Sequence, residues 1–277
     1  MNNNFVKDIE QILSHRYDNG ADLWATNDKK LLKGAPFTTL ECINYLLELG
    51  VPLEHDVFQQ SADLIFSTWR MDGRFKTSPT GGIYPCHTAL ALKTLCSMGY
   101  VADQRISKTF QYFLDIQADD GGWKCHKYSF GRGPETEFST PYTTLTVLDA
   151  FRYTNKYNQN VSLEKAVDFL LQHWTMKKPI SPCHYGIGKL FNQIEYPMRG
   201  YNLFYYVYVL SFYDYAKNDS RFKEAFTTLQ SKLVDSQIIV ERVVPKLAKL
   251  SFCQKAQPSF LATKRYQEIC QRIDLQS

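Results

Sequence analysis

The sequence predicts an all-α fold made of repeated helical hairpins, read as one domain over residues 1–277. Two observations carry this expectation: a proline-led apolar segment that recurs at near-constant spacing, and room in each period for a second helix. The recurring segment reads Pro36-Phe37-Thr38-Thr39-Leu40, Pro85-Cys86-His87-Thr88-Ala89 and Pro141-Tyr142-Thr143-Thr144-Leu145. Four residues behind each proline an apolar series begins and then steps by three: Leu40, Ile43 and Leu46; Ala89, Leu92 and Leu95; Leu145, Leu148 and Phe151. That spacing marks one face of a helix. Proline suits the first helical turn, where its missing N–H costs nothing. Gly50, Gly99 and Asn155 stand at a common distance beyond the prolines and are residue types that tolerate a left-handed helix stop.

Second helices are expected at about 55–69, 105–117 and 162–174. Asp103-Gln104-Arg105 and Asp219-Ser220-Arg221 each place an aspartate where it can accept orphan N–H groups at a helix start. The repeat units run about 34–80, 81–135, 136–191 and 192–241, with first helices expected to start near Pro36, Pro85, Pro141 and Pro197; Pro197 is two residues out of register, and the fourth unit's first helix is expected around 203–215. A helix with Phe5, Ile9, Ile12 and Leu13 on one face precedes the repeats, and another near 258–273 follows them. Gly, Pro and Ser predict loops at 125–140 and 176–186.

Bulk composition narrows the function classes. Hydrophobic residues make up 44% and charged residues 22% of the 277, an ordinary globular balance. A net charge of +4 without a basic stripe argues against nucleic acid. No apolar run reaches membrane-spanning length. Seven cysteines behind a polar start predict a cytoplasmic protein with reduced thiols.

The turn closing the second unit reads Gln117-Ala118-Asp119-Asp120-Gly121-Gly122-Trp123, with Met71-Asp72-Gly73-Arg74-Phe75 as a degenerate copy. It resembles the QW repeat of squalene cyclases and protein prenyltransferase β subunits. In that family the Gln side chain meets the next helix and the Trp ring packs on it. The resemblance covers about residues 34–230 and implies an α/α toroid around a central cavity. It implies an enzyme acting on an apolar, isoprenoid-type or lipid-like small molecule. The alternative is a non-catalytic toroid that binds a lipid or a peptide. The family's reactive signatures are missing. No Asp-x-Asp-Asp occurs, which disfavours class II cyclisation; Trp123 stands where Asp-Asp-x-x-Asp needs its last acid; and no Asp-x-Cys is present. Asp119-Asp120 is read as a turn acid and a cap.

Three Cys-His dipeptides, Cys86-His87, Cys125-His126 and Cys183-His184, fall at or before proline-led helices. Cys86, Cys125 and Cys183 with His184 (or His87) would supply a tetrahedral zinc site. The competing reading is small thiols packed as hydrophobes. Lys124, Lys127 and Arg132 around Gly131–Gly133 are diphosphate-binding candidates, against an ordinary solvated role. Tyr201, Tyr205 and Tyr208 share a helix face and are expected to border an apolar substrate pocket.

Overall fold

The computed structural model describes residues 5–125, 133–157 and 160–274. Among these the chain is mostly helical, and it divides into two compact units, residues 1–115 and 116–277. The first unit holds α1 (Val6–Ser14), α2 (Thr39–Glu48), α3 (Asp56–Phe66), α4 (Pro85–Ser97) and α5 (Gln104–Asp115). The second holds α6 (Pro141–Phe151), α7 (Val161–Met176), α8 (Leu203–Leu210), α9 (Asp214–Lys217), α10 (Ser220–Gln230) and α11 (Phe260–Asp274). A two-stranded hairpin, β1 (Leu233–Val234) with β2 (Gln237–Ile238), departs from the all-α expectation. Asp235 and Ser236 both have positive φ, as a tight two-residue hairpin turn requires.

In the second unit burial separates the first helices of the hairpins from the second ones, because α6 and α8 are buried nearly all round; α2 in the first unit leaves Glu41, Asn44, Leu47 and Glu48 half-buried. Every residue of α8 is buried, as is every residue of α6 except Tyr142. The second helices bury one stripe: Ile106, Thr109, Phe110 and Phe113 on α5, and Phe222, Ala225 and Leu229 on α10. A helix with one apolar stripe packs as an outer layer, whereas one apolar on all sides needs neighbours on all sides. Accordingly α2 packs on α4 in the first unit, while in the second α6 packs on α7 and α8, and α10 on α7 and α8.

Each second helix is capped the same way. His55 Nδ1 accepts the Val57 N–H at 3.2 Å, Asp103 Oδ1 that of Arg105 at 2.7 Å, Asn160 Oδ1 that of Ser162 at 2.9 Å, and Asp219 Oδ1 that of Arg221 at 2.8 Å. Each cap satisfies an N–H that the helix cannot. Pro85 and Pro141 open α4 and α6, and α8 begins at Leu203, the expected start of the fourth unit's first helix, though six residues after Pro197; α2 begins at Thr39 and not at Pro36. Thr38 and Asn202 cap α2 and α8, and Pro36 and Pro197 lie upstream behind cis peptides. Gly50 and Gly99 take the expected left-handed φ, +79° and +90°. Asn155 does not; it opens a 3-10 turn, Asn155–Tyr157, after α6 has ended at Phe151.

The turns after α3 and α5 are one device used twice. Arg70 N–H donates to Arg74 O at 2.9 Å, and Ala118 N–H to Gly122 O at 3.0 Å. Asp72 Oδ1 accepts the Arg74 N–H, and Asp120 Oδ1 the Gly122 N–H. Gly73 and Gly121 have φ of +85° and +87°, and a Cβ there would stand 2.7 Å from Lys108 O and 2.4 Å from Lys165 O. Those carbonyls belong to the fifth residues of α5 and α7. Phe75 and Trp123, both fully buried, then donate their N–H groups to Thr88 Oγ1 and Thr144 Oγ1 at 3.2 and 3.1 Å. Each threonine is the fourth residue of its helix, α4 or α6. Each turn therefore grips both helices of the hairpin that follows it within its unit. Gln117 adds a third grip, its Nε2 donating to Gly121 O and Ser162 O, each at 2.6 Å.

Gly121→Ala meets both strained φ and a backbone oxygen, so a loss of about 2–3 kcal/mol or more is expected in urea unfolding. Gly200→Ala, with φ of +63° but nothing within 4 Å, should cost about 1–2 kcal/mol. Equal losses at the two sites would show that the Lys165 contact does not matter.

Candidate functional site

The segment leading into α6 fastens two of the predicted cysteine loops. Thr140 N–H bonds Trp123 O at 2.9 Å, and Thr140 Oγ1 accepts the Cys125 N–H at 3.0 Å. Ser181 N–H donates to Glu135 O at 2.8 Å, which ties the Ile180–Tyr185 turn to the 3-10 turn Pro134–Glu137. Cys125 is buried, Cys183 half-buried and His184 exposed with φ of +51°. Cys86, in the first unit, is the second residue of α4 and half-buried. Among the described residues no three His, Cys, Asp or Glu side chains are grouped so as to hold a metal. His126, Lys127 and Arg132 lie outside the described residues. Lys124 is half-buried, its Nζ 4.0 Å from Glu137 Oε2.

An aromatic cluster lies beside the Cys183 turn. Tyr201 is its centre, with Phe191 at 4.9 Å, His173 at 5.6 Å, Tyr185 at 5.8 Å and Tyr206 at 6.3 Å between ring centroids. Trp174 adjoins Phe191 and Tyr206, and Tyr142 adjoins Tyr185. Tyr142 and Tyr185 are half-buried and bring the cluster to the surface. The buried Trp174 Nε1 has no hydrogen-bond partner, leaving a donor among rings. His173 is buried between two groups: Tyr201 Oη at 2.9 Å from Nδ1, and Lys178 O at 3.0 Å from Nε2. A carbonyl only accepts, so Nε2 carries the proton and the phenol donates to Nδ1. With one ring nitrogen donating and the other accepting, the His173 ring is neutral. Burial pushes its pKa down, against the backbone acceptors of Lys178 and Tyr185, and the neutral ring is favoured.

The other two predicted tyrosines are bound up in ionic networks. Tyr205 Oη donates to Asp149 Oδ2 at 2.7 Å, and Asp149 also pairs with Arg152 Nε. Asp149 is 1% exposed. Burial opposes the Arg152 charge, but the Asp149 carboxylate outweighs it and holds the guanidinium protonated. Burial, then Asp149, raises the Tyr205 phenol well above its usual range. Tyr208 Oη donates to Glu268 Oε2 at 3.3 Å. Sequence reasoning missed Asp149, Arg152 and Glu268. Asp149 does stand out as the one acid in the apolar run Leu145–Phe151, and that signal was available. Apart from all these residues, a cleft of about 350 Å³ lies against the 119–121 turn, bordered by Asp119, Asp120, Val161, Glu164, Asp168 and Tyr215. Asp120 there acts as the expected turn acid, also accepting the Ser139 N–H and hydroxyl.

No protein-family model and no curated protein matches the chain. No helix among the described residues is long and apolar enough to cross a membrane.

His173 gives a signed pH dependence. Its folded pKa lies below its ordinary 6.5, so the folded state binds fewer protons than the unfolded one. Its contribution to stability is complete above pH 6.5 and falls as acidification proceeds from there towards the folded pKa. Urea midpoints measured from pH 8 to 5 should drop below about pH 6.5 in the natural protein, with a smaller drop in His173→Gln. An identical pH slope in the two proteins would refute a buried neutral His173.

Proposed function

We propose that this chain is a repeat enzyme of the prenyltransferase and terpene-cyclase kind, closed as an α/α toroid and acting on an apolar, isoprenoid-type substrate. The observation that supports the reading is the Ala118–Trp123 turn. Gln117 reaches the start of the next second helix, and Trp123 is fully buried with its N–H on the next first helix. Those are the parts that Gln and Trp play in the QW repeat. The aromatic cluster is where an apolar chain would bind. Tyr142 and Tyr185 form its accessible edge, Tyr201 and Phe191 its floor, and the unpartnered Trp174 N–H offers a polar contact. Faces of such rings attract cationic carbon centres as they attract ammonium groups.

A second reading is a non-catalytic binder of a lipid or peptide. The absence of the cyclase and synthase acids from the sequence favours it. Product analysis with prenyl substrates separates the two.

The binding step has its own test, with a fluorescent C15 prenyl alcohol and a C16 fatty acid as probes. Saturable binding of the prenyl probe is expected, weakened about tenfold or more by Tyr185→Ala and by Tyr201→Ala. Tyr17→Ala, at a residue 65% exposed in the first unit, should leave it unchanged. No saturation by either probe up to the solubility limit would count against the enzymatic reading and against lipid binding, and leave only a peptide as the occupant.

A further inference from the structure

After α7 ends at Met176, residues 177–187 turn back on themselves as a strap. Ile187 N–H donates to Lys177 O at 2.9 Å, and Ile180 and Tyr185 exchange backbone bonds of 3.0 and 3.1 Å. Lys177, Ser181 and His184 hold φ of +59°, +68° and +51°, values that a residue with a Cβ rarely takes. The strap is therefore kept in place against part of its own backbone preference. It is fastened from outside on both sides of its turn. His173 Nε2 donates to Lys178 O at 3.0 Å, and Ser181 N–H donates to Glu135 O at 2.8 Å. The Tyr185 ring of the strap stands edge-on to Tyr201, whose hydroxyl meets the other nitrogen of His173. One histidine thus holds both the strap and the centre of the aromatic cluster.

His173 performs both tasks only as a neutral ring. Nδ1 accepts the Tyr201 hydroxyl while Nε2 donates, and a protonated imidazole has two donors and no acceptor. Its surroundings do not answer a charge. Tyr201 faces it directly, Tyr206 on α8 has its hydroxyl on Leu170 O, and Tyr142 on α6 lies behind Tyr185. Lys177 of the strap lies 5.2 Å over the Trp174 ring and 3.7 Å from Glu224 of α10. The ion pairs of α9 and α10, Asp214 with Lys217 and Arg221 with Asp168 and Asp219, are closed on themselves. Burial opposes the imidazolium, and what favours it is the pair of Lys178 and Tyr185 carbonyls, both on the strap. Protonation with the strap down leaves a cation in a site that is 1% exposed, whereas lifting the strap lets water reach the ring.

We propose that residues 177–187 are a pH-dependent strap, latched against the aromatic cluster by neutral His173 and lifted when His173 takes up a proton. The sign follows from the latch. The closed form is favoured above about pH 6.5, where a free imidazole is neutral, and the open form gains as the pH falls below it. Lifting takes Tyr185 away from the edge of the cluster and uncovers Tyr201. That consequence for a ligand rests on the binding reading above; the lifting itself does not.

The Ser181 amide reports the lifting, because its acceptor, Glu135 O, lies outside the strap. Native-state hydrogen exchange of the full chain, corrected for the intrinsic pH dependence of exchange, compares it with the Leu170 and Leu171 amides in the core of α7. At about pH 7.5 Ser181 should exchange through a smaller opening than those two, one that low urea does not promote. Between about pH 7.5 and 5.5 its protection should fall by at least about threefold and at most about tenfold, the ceiling set by a free pKa of 6.5. In His173→Gln, whose amide donates and accepts without titrating, that fall should disappear. Where this variant does not fold by circular dichroism, the urea and pH dependence of Ser181 in the natural protein decide. Ser181 exchange that follows Leu170 and Leu171 in urea, protection that does not change with pH, or an equal fall in His173→Gln would overturn the proposal. A strap that lifts as expected in a chain that binds neither the prenyl nor the fatty-acid probe supports the proposal and counts only against the binding reading.

Discussion

The contact on which the repeat depends is a carbonyl pressed into the space that a side chain would occupy. Lys108 O and Lys165 O stand where Gly73 and Gly121 lack a Cβ. Only glycine permits both that approach and the left-handed φ. Once the glycine is seated, the rest of the turn follows from backbone geometry. The aspartate before it accepts the N–H of the residue after it, and the next residue is carried to the threonine on the following first helix. A turn of six residues therefore seats against both helices of the hairpin that follows it. Thr39, also three residues after its proline, reaches Leu23 O at 2.7 Å, an echo of the device at the start of the chain.

Buried polar groups explain how α8 can be so rich in tyrosine. Its sequence, Leu-Phe-Tyr-Tyr-Val-Tyr-Val-Leu, is wholly buried, and each phenol on it has an acceptor. Tyr205 uses Asp149, Tyr206 uses Leu170 O and Tyr208 uses Glu268; Tyr213, just beyond, uses Leu148 O. Unmet, each would cost about 1–3 kcal/mol. Asp149 in turn needs Arg152, and Arg152 spreads its charge over Tyr153, Tyr208 and Phe212. Filling the core and placing charge are thus the same act in this unit. The aromatic cluster around Tyr201 differs, since it keeps a neutral histidine and an unmatched indole N–H among its rings.

The hairpin pattern was legible because it is local. Proline, the apolar steps of three and four, and the aspartate caps all act within one helical turn of themselves. Thr88 and Thr144 were visible in the aligned segments, but their task was not, because it is defined by a turn 13 and 21 residues earlier. The starts at Pro36 and Pro197 were misread for a related reason: a proline marks a helix start only when no better cap follows it, and Thr38 and Asn202 do follow. The ionic networks were hidden by distance. Tyr205 meets Asp149 across 56 residues and Tyr208 meets Glu268 across 60, and no periodicity reports such pairs. The common face of Tyr201, Tyr205 and Tyr208 was sound helix geometry, yet Tyr201 precedes α8, and each of the three meets a different partner.

Native-state hydrogen exchange of the Phe75 and Trp123 amides tests the central claim most directly. If the turns clamp the hairpins, each of these amides opens only when its helix does. Phe75 should then share its opening free energy with the core amides of α4, and Trp123 with those of α6, within about 0.5 kcal/mol. Exchange of either amide through a separate opening that is cheaper by about 2 kcal/mol or more would show that the turn is merely laid on the helices and does not hold them.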